Sequence, residues 1–124
     1  MDGRSATRQR FRAMFLAQLD KSRARIAALP LDEPASASVL ADVLHQLIGS
    51  TSAVDLVELG ILCRYCEQRL RALERVGFSP AAEPASLKIL GILDDVSEAL
   101  HSDRAPDMTP IRALSERLAP DAGG

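Results

Sequence analysis

The sequence lacks any segment that could cross a membrane. No apolar run in the 124 residues approaches the roughly 20 needed to span a bilayer, and the arginine-rich N-terminus contains no signal-peptide core. We therefore expect a cytoplasmic protein without a membrane partner. The chain also has little net charge, formally −2, and this total gives no indication of a nucleic-acid partner.

Histidine is scarce, which excludes several classes of enzyme. The chain has only two histidines, His45 and His101, which are distant from each other, and we find no set of residues from which to build a hydrolytic triad or a metal site around them. We interpret His101, near a predicted helix C-terminus, as a surface residue. The sequence also has no glycine-rich nucleotide loop and no acidic cluster suited to Mg²⁺, so we expect no metal and no cofactor.

Cysteine is equally scarce: Cys63 and Cys66 form a single C-x-x-C pair. A redox pair of the thioredoxin type needs a βαβ context, which the pattern does not predict, and a zinc site needs further ligands at metal spacing. We therefore expect two reduced thiols buried in the core.

The charge that is present is unevenly distributed along the chain. Residues 1–25 contain seven Arg and Lys against two Asp, whereas the remainder contains eight basic and fifteen acidic side chains. We interpret the basic segment as the solvated face of a first helix, with attraction of a partner as the alternative.

Apolar side chains recur at spacings of three and four almost throughout, which is typical of amphipathic helices. No strand or internal repeat is evident, and 47% apolar with 26% charged residues suits one globular domain. The pattern predicts five helices, at about residues 6–29, 36–53, 56–76, 84–102 and 109–119. Such helices with short links pack antiparallel, so residues 1–124 are expected to form one all-α domain, an antiparallel four-helix bundle with an additional N-terminal helix packed on it.

Three local signals mark helix ends. Asp55 and Glu58 form a predicted capping pair at the start of the third helix. Gly77 is expected to end that helix. Thr109, followed by Pro110, is predicted to be the N-cap of the fifth helix.

His45 lies on the polar side of the second helix. On a helical wheel Val43, Leu47 and Val54 fall within about 40° of the point opposite His45, so the imidazole is expected to face away from the core. One turn further on, Gly49 weakens the helix by roughly 0.5–1 kcal/mol relative to alanine. We interpret this glycine as clearance for close approach by another molecule.

Glu67 is the ionisable residue of the third helix that should draw level with His45, because that helix runs back alongside the second. A carboxylate that accepts the Nδ1 hydrogen selects the tautomer in which Nε2 is unprotonated and nucleophilic. It also stabilises the positive charge that develops on the ring during attack. The pair therefore predicts a nucleophile with an orienting group.

The segment LHQLIGSTSAVDLVELGILCRYCEQ, residues 44–68, resembles the histidine-containing phosphotransfer (HPt) family of bacterial multistep phosphorelays. The pattern of that family is roughly H-x-L-K-G-S, followed by a leucine-rich helix containing L-C-R-x-x-E/Q. The positions in register are His45, Leu47, Gly49, Ser50, Val54, Leu59, Leu62, Cys63, Arg64 and Glu67.

The resemblance implies that His45 accepts a phosphoryl group from a receiver-domain aspartate and passes it to another receiver domain. The implied partners are response-regulator receiver domains and a hybrid sensor histidine kinase, and the receiver supplies Mg²⁺ and most of the catalysis. The chain is then a phosphorylated carrier rather than an enzyme, and we expect a monomer. The residues expected to meet the partner are Gln46, Ile48, Gly49, Ser52, Arg64 and Arg71.

The sequence departs from the family pattern at two positions. Asp55 replaces a glycine at the turn, which we interpret as benign because Asp is a good helix cap. Ile48 stands where the family has a lysine that neutralises the phosphoryl group. Arg64 or Arg71 could compensate for the lost ammonium, and simple solvation of both arginines is the alternative.

Two rival functions remain open at this stage. The first is a degenerate HPt-like adaptor that binds receiver or kinase domains without carrying phosphate, and Ile48 is its main support. The second is a helical dimerisation or scaffold module in which His45 is an ordinary surface residue. That second hypothesis does not explain why a glycine stands at position 49 or why Glu67 is level with His45.

Overall fold

The structure, a computed structural model, describes residues 3–120, with side chains from residue 6 onward. It contains α1 (Gly3–Ala27), α2 (Ala35–Thr51), α3 (Val57–Val76), α4 (Pro84–His101) and α5 (Thr109–Leu118). One-turn 3₁₀ helices lie at Ser52–Val54 and Pro80–Ala82. This part of the chain has no strand, so the all-α prediction is confirmed. The largest boundary difference is in α1, which starts three residues before the predicted position.

The five helices pack as a bundle in which α2 and α3 form the most closely associated pair. They run antiparallel, since Thr51 and His45 of α2 face Gly60 and Glu67 of α3, respectively. Helix α5 packs on α3 and α4, and the N-terminal helix α1 lies across α2 and α4. Within residues 3–120, no helix is long and apolar enough to span a bilayer.

The core draws side chains from all five helices, because each places its apolar stripe inward. A buried side chain of leucine size contributes about 1.5–3 kcal/mol relative to full exposure. The largest fully buried side chains are Phe15, Leu19, Leu40, Val43, Leu44, Leu47, Leu59, Leu62, Leu70, Ile89, Leu93 and Ile111. Cys63 and Cys66 are also buried and free, as expected. Burial raises the pKa of the Cys66 thiol to about 12 and that of Cys63 still further.

The turn between α2 and α3 corrects the predicted capping pair. Asp55 has a φ of 60°, in the left-handed region, and the residue before α3 is Leu56, which makes no side-chain cap. Glu58 instead accepts two hydrogen bonds from Arg112 of α5, at 2.6 and 3.2 Å. Asp55 thus suits this turn for a reason other than capping: Asp tolerates the left-handed conformation better than most residues.

The other two predicted helix ends have opposite outcomes. Gly77 ends α3 with a φ of 75°, and its N–H bonds to the carbonyls of Leu73 and Glu74, which confirms that prediction. Thr109 is the first residue of α5 rather than its N-cap. The N-cap position is Met108, which makes no side-chain cap, and the Thr109 N–H donates to the Asp107 carboxylate at 3.0 Å.

Gly60 is the residue that lets α2 and α3 pack closely. A Cβ on Gly60 would lie 2.3 Å from the hydroxyl oxygen of Thr51, much nearer than any side chain can approach. Thr51 is itself buried, and its hydroxyl donates to the Ile48 carbonyl at 3.0 Å. The sequence reasoning did not single out this glycine, although a glycine inside a strong helical pattern is a usable signal of close packing.

A polar cluster holds α1 against α4 on the far side of the bundle. The Asp20 carboxylate accepts hydrogen bonds from Ser97, Arg23 and His101, the last from Nε2 at 2.6 Å. Burial alone would raise the pKa of Asp20, but these three hydrogen bonds outweigh it and hold the pKa below its usual value. The His101 side chain is 58% exposed, so it lies at the surface as predicted. Its hydrogen bond to Asp20 also links α4 to α1.

Candidate functional site

His45 projects from the outer face of α2. Its side chain is 68% exposed, whereas its neighbours Val43, Leu44 and Leu47 are fully buried. The helical period places these three in the core and rotates His45 away from it. The imidazole is therefore accessible to another protein.

The structure brings His45 and Glu67 together across the α2–α3 pair. Nδ1 of His45 lies 3.0 Å from Oε1 of Glu67, and the Glu67 side chain is only 16% exposed. A carboxylate has no proton to donate at neutral pH, so Nδ1 carries the hydrogen and donates it. In a neutral ring this tautomer leaves the Nε2 lone pair free.

Arg71 supports Glu67 from the next turn of α3. Its guanidinium lies 3.5 Å from the second carboxylate oxygen of Glu67 and donates to Asp42 of α2 at 2.6 Å and to Glu74 at 3.4 Å. The hydrogen bond to Asp42 is the main reason that the pKa of Arg71 is raised. Arg71 thus pairs with three carboxylates, and Asp42 is the nearest of them.

Gly49 lies one turn beyond His45 and is exposed to solvent. A Cβ on Gly49 would meet no atom within 4 Å, so nothing in the fold requires a glycine there. In this respect Gly49 is the opposite of Gly60. The exposed residue Gln46 also borders this open face, and its carbonyl accepts a hydrogen bond from Gln18 of α1 at 3.0 Å.

A shallow cleft runs between α2 and α3 beside Gly49. Ile48 of α2 and Ser52 of the following 3₁₀ turn line one side, and Val57, Ile61 and Arg64 of α3 line the other. Val57 and Ile61 are 54% and 42% exposed, so the bundle leaves two branched apolar side chains in water. The sequence reasoning did not single out these two. The signal that could have found them is their position off the buried stripe of α3.

The predicted partner-facing residues therefore separate into two groups. Ile48, Ser52 and Arg64 share the cleft, Gly49 follows Ile48 on the exposed side of α2, and Gln46 is exposed on the side nearer α1. The remaining one, Arg71, lies on the far side of Glu67 from the cleft and is engaged with carboxylates. Arg71 is therefore the one predicted partner-facing residue that lies away from the cleft. The sequence predicts that it adjoins Glu67, but not that it pairs with Asp42 and Glu74.

The described residues contain no cluster of potential metal ligands. Across residues 3–120, no group of three or more His, Cys, Asp or Glu side chains is arranged to hold a metal ion. The candidate site consists of an exposed imidazole with a carboxylate on its Nδ1, and of the open surface at Gly49 one turn away.

Comparison of the chain with protein-family models, with curated proteins and with solved structures gives no match. The function is therefore inferred from the geometry of His45, Glu67 and Gly49, together with the motif in which they lie.

Proposed function

We propose that the chain is a cytoplasmic phosphorelay carrier of the HPt type. His45 accepts a phosphoryl group from the aspartate of one receiver domain and passes it to the aspartate of another. The single observation that carries the proposal is the hydrogen bond between Nδ1 of His45 and Glu67, at 3.0 Å, on a ring that is otherwise exposed. The resemblance of residues 44–68 to the HPt pattern supports the same assignment.

Phosphoryl transfer to His45 uses the neutral imidazole that carries its hydrogen on Nδ1. The Nε2 lone pair attacks phosphorus in line, the N–P bond forms, and the P–O bond to the aspartyl group breaks to release a carboxylate. The ring becomes cationic because Nδ1 keeps its hydrogen. Glu67 stabilises that charge through a charge-assisted hydrogen bond. In the onward step an aspartate oxygen attacks phosphorus, and the N–P electron pair returns to Nε2.

The open face around Gly49 supports docking of a folded partner. A receiver must bring its aspartyl phosphate to the ring, and a side chain at position 49 would occupy the space needed for that approach. Ile48, Val57 and Ile61 provide apolar contact area for a helix of the receiver. In this scheme the receiver binds Mg²⁺ and provides most of the transition-state stabilisation.

The decisive experiment is labelling by a receiver that carries radiolabelled phosphate. The wild-type protein is expected to acquire an acid-labile, alkali-stable label, and His45→Ala is expected to acquire none while its circular dichroism spectrum is unchanged. His101→Ala is the matched control, because this second histidine also bonds to a carboxylate but lies in the α1–α4 cluster. Equal labelling of wild type and His45→Ala would refute the proposal.

The adaptor function is the second candidate, and Ile48 in the place of the family's lysine is the observation that favours it. An adaptor would bind a receiver in calorimetry with the same affinity before and after His45→Ala and would acquire no label. A carrier acquires label from the same receiver. The two functions are therefore separated by measuring binding and labelling on one receiver preparation.

A further inference from the structure

A phosphoryl group on His45 needs a nearby cation, and α2 does not provide one. Helix α2 contains no lysine or arginine, and the position three residues after His45 is Ile48. The phosphoryl oxygens carry negative charge throughout the transfer, and charge-assisted hydrogen bonds to them are among the stronger polar contacts in proteins. If the proposed function holds, a phosphoryl-binding cation supplied by this chain has to come from another helix.

Helix α3 faces α2 and carries the candidate arginines. Arg71 is bonded to Asp42, Glu67 and Glu74, so its charge is already neutralised by carboxylates. Arg69 donates to Glu83 and to a backbone carbonyl of α5, away from His45. These two guanidinium groups are therefore engaged elsewhere.

Arg64 differs from both. It is exposed, and within residues 3–120 no hydrogen bond or ion pair holds its guanidinium. It lines the same cleft as Ile48, on the opposite wall. It also precedes Glu67 by three residues, and such neighbours on a helix have Cβ atoms about 5–6 Å apart, which is less than the length of an extended arginine side chain.

We propose that Arg64 supplies the phosphoryl-binding cation that position 48 lacks. Arg64 and Ile48 line the same cleft between α2 and α3, and in this proposal the guanidinium extends from that cleft to the oxygens of the group bound to Nε2 of His45. A planar guanidinium can donate to two of these oxygens at once, whereas an ammonium acts as a point charge. In this proposal α3 carries the phosphoryl-binding cation and α2 does not, and the apolar Ile48 provides a surface on which the arginine side chain can pack.

The test compares Arg64→Gln with a matched control on the same helix. Arg75→Gln removes another exposed arginine of α3 that is three turns away and has no partner in the described part of the chain. Two phosphoryl donors are used: a phosphorylated receiver, and phosphoramidate, which needs no docking. Arg64→Gln is expected to slow labelling of His45 about tenfold with both donors, and Arg75→Gln to leave it unchanged.

Two further measurements show whether the effect is electrostatic. Ile48→Lys in the Arg64→Gln background is expected to recover most of the lost rate, because it restores a cation to the cleft. The difference between wild type and Arg64→Gln should also shrink as salt is added, since exposed charges are screened. The urea unfolding midpoint of Arg64→Gln should match that of wild type.

Each outcome has a distinct meaning. Equal rates for wild type and Arg64→Gln would overturn the role of Arg64 and leave the carrier function intact. A loss seen with the receiver but not with phosphoramidate would also overturn it, because Arg64 would then contact the receiver rather than the phosphoryl group. Failure of the wild-type protein to be labelled by either donor would refute the carrier function and this inference together.

Discussion

Replacement of Gly60 by alanine should destabilise the bundle, although alanine is the better helix former. The added Cβ would lie 2.3 Å from Thr51 Oγ1 and 3.4 Å from Thr51 Cβ. Real Cβ atoms essentially never lie within 3.0 Å of another heavy atom, so the first of these distances is a severe overlap. Either α2 and α3 must separate or the Thr51 side chain must rotate.

Both ways of relieving the overlap cost free energy. Separation of the helices disturbs the leucine layers beside the crossing, and overpacking of this kind costs about 1–3 kcal/mol. Rotation of Thr51, which is 2% exposed, breaks its hydroxyl hydrogen bond to the Ile48 carbonyl. Alanine regains about 0.5–1 kcal/mol through its helix propensity. We therefore expect Gly60→Ala to lower the free energy of unfolding by about 1–2 kcal/mol.

Urea unfolding followed by far-ultraviolet circular dichroism measures this change, because the chain has no tryptophan to report on folding. Gly49→Ala is the control in the neighbouring helix: its Cβ meets open space, so it should raise stability by up to about 1 kcal/mol. Thr51→Ala should reduce the cost of Gly60→Ala, giving a coupling of about 1 kcal/mol in a double-mutant cycle. A Gly60→Ala protein as stable as wild type would refute the steric argument.

The remaining predictions concern the two cysteines, Asp20 and Glu67. Because burial raises the pKa of both thiols, neither cysteine should react with a thiol reagent at about pH 8 until the protein unfolds, and rapid reaction of the native protein would contradict their placement. The pKa of Asp20 is lowered in the folded protein, so its contribution to stability is present above about pH 4 and is lost as the pH falls through the folded value. Asp20→Asn should therefore cost more stability at neutral than at acid pH, and a loss independent of pH would contradict this. Glu67→Ala should shift the neutral His45 ring away from the Nδ1-protonated tautomer, as seen in nitrogen chemical shifts, and slow its phosphorylation; an unchanged tautomer ratio would show that the carboxylate does not orient the ring.

The proximity of His45 and Glu67 could be predicted because it depends on two regular features of helix geometry. The helical period determines which side of α2 the imidazole takes, and the antiparallel return of α3 determines which residue comes level with it. Neither feature requires knowledge of the rest of the bundle. The structure places the two side chains within hydrogen-bond distance, at 3.0 Å.

The contacts that involve choices among neighbours could not be predicted in the same way. Glu58 had a plausible local use as a capping residue, but Arg112 approaches it from α5, which is distant in sequence. Asp55 had the chemistry of an N-cap, but closing the turn placed its backbone in the left-handed region. In both cases a tertiary arrangement competed with a local preference of about 1 kcal/mol and prevailed.

The amino-acid order by itself thus determined the number of helices, the side of each that is buried and the outward position of His45, because these depend on backbone geometry and on the transfer of apolar groups from water. Only the tertiary structure decided which charged side chains pair with one another. Arg71 meets three carboxylates and Arg64 meets none in the described residues, although both are arginines on one helix. Long flexible side chains select their partners from whatever the packed helices bring within reach, and that selection is absent from any local pattern.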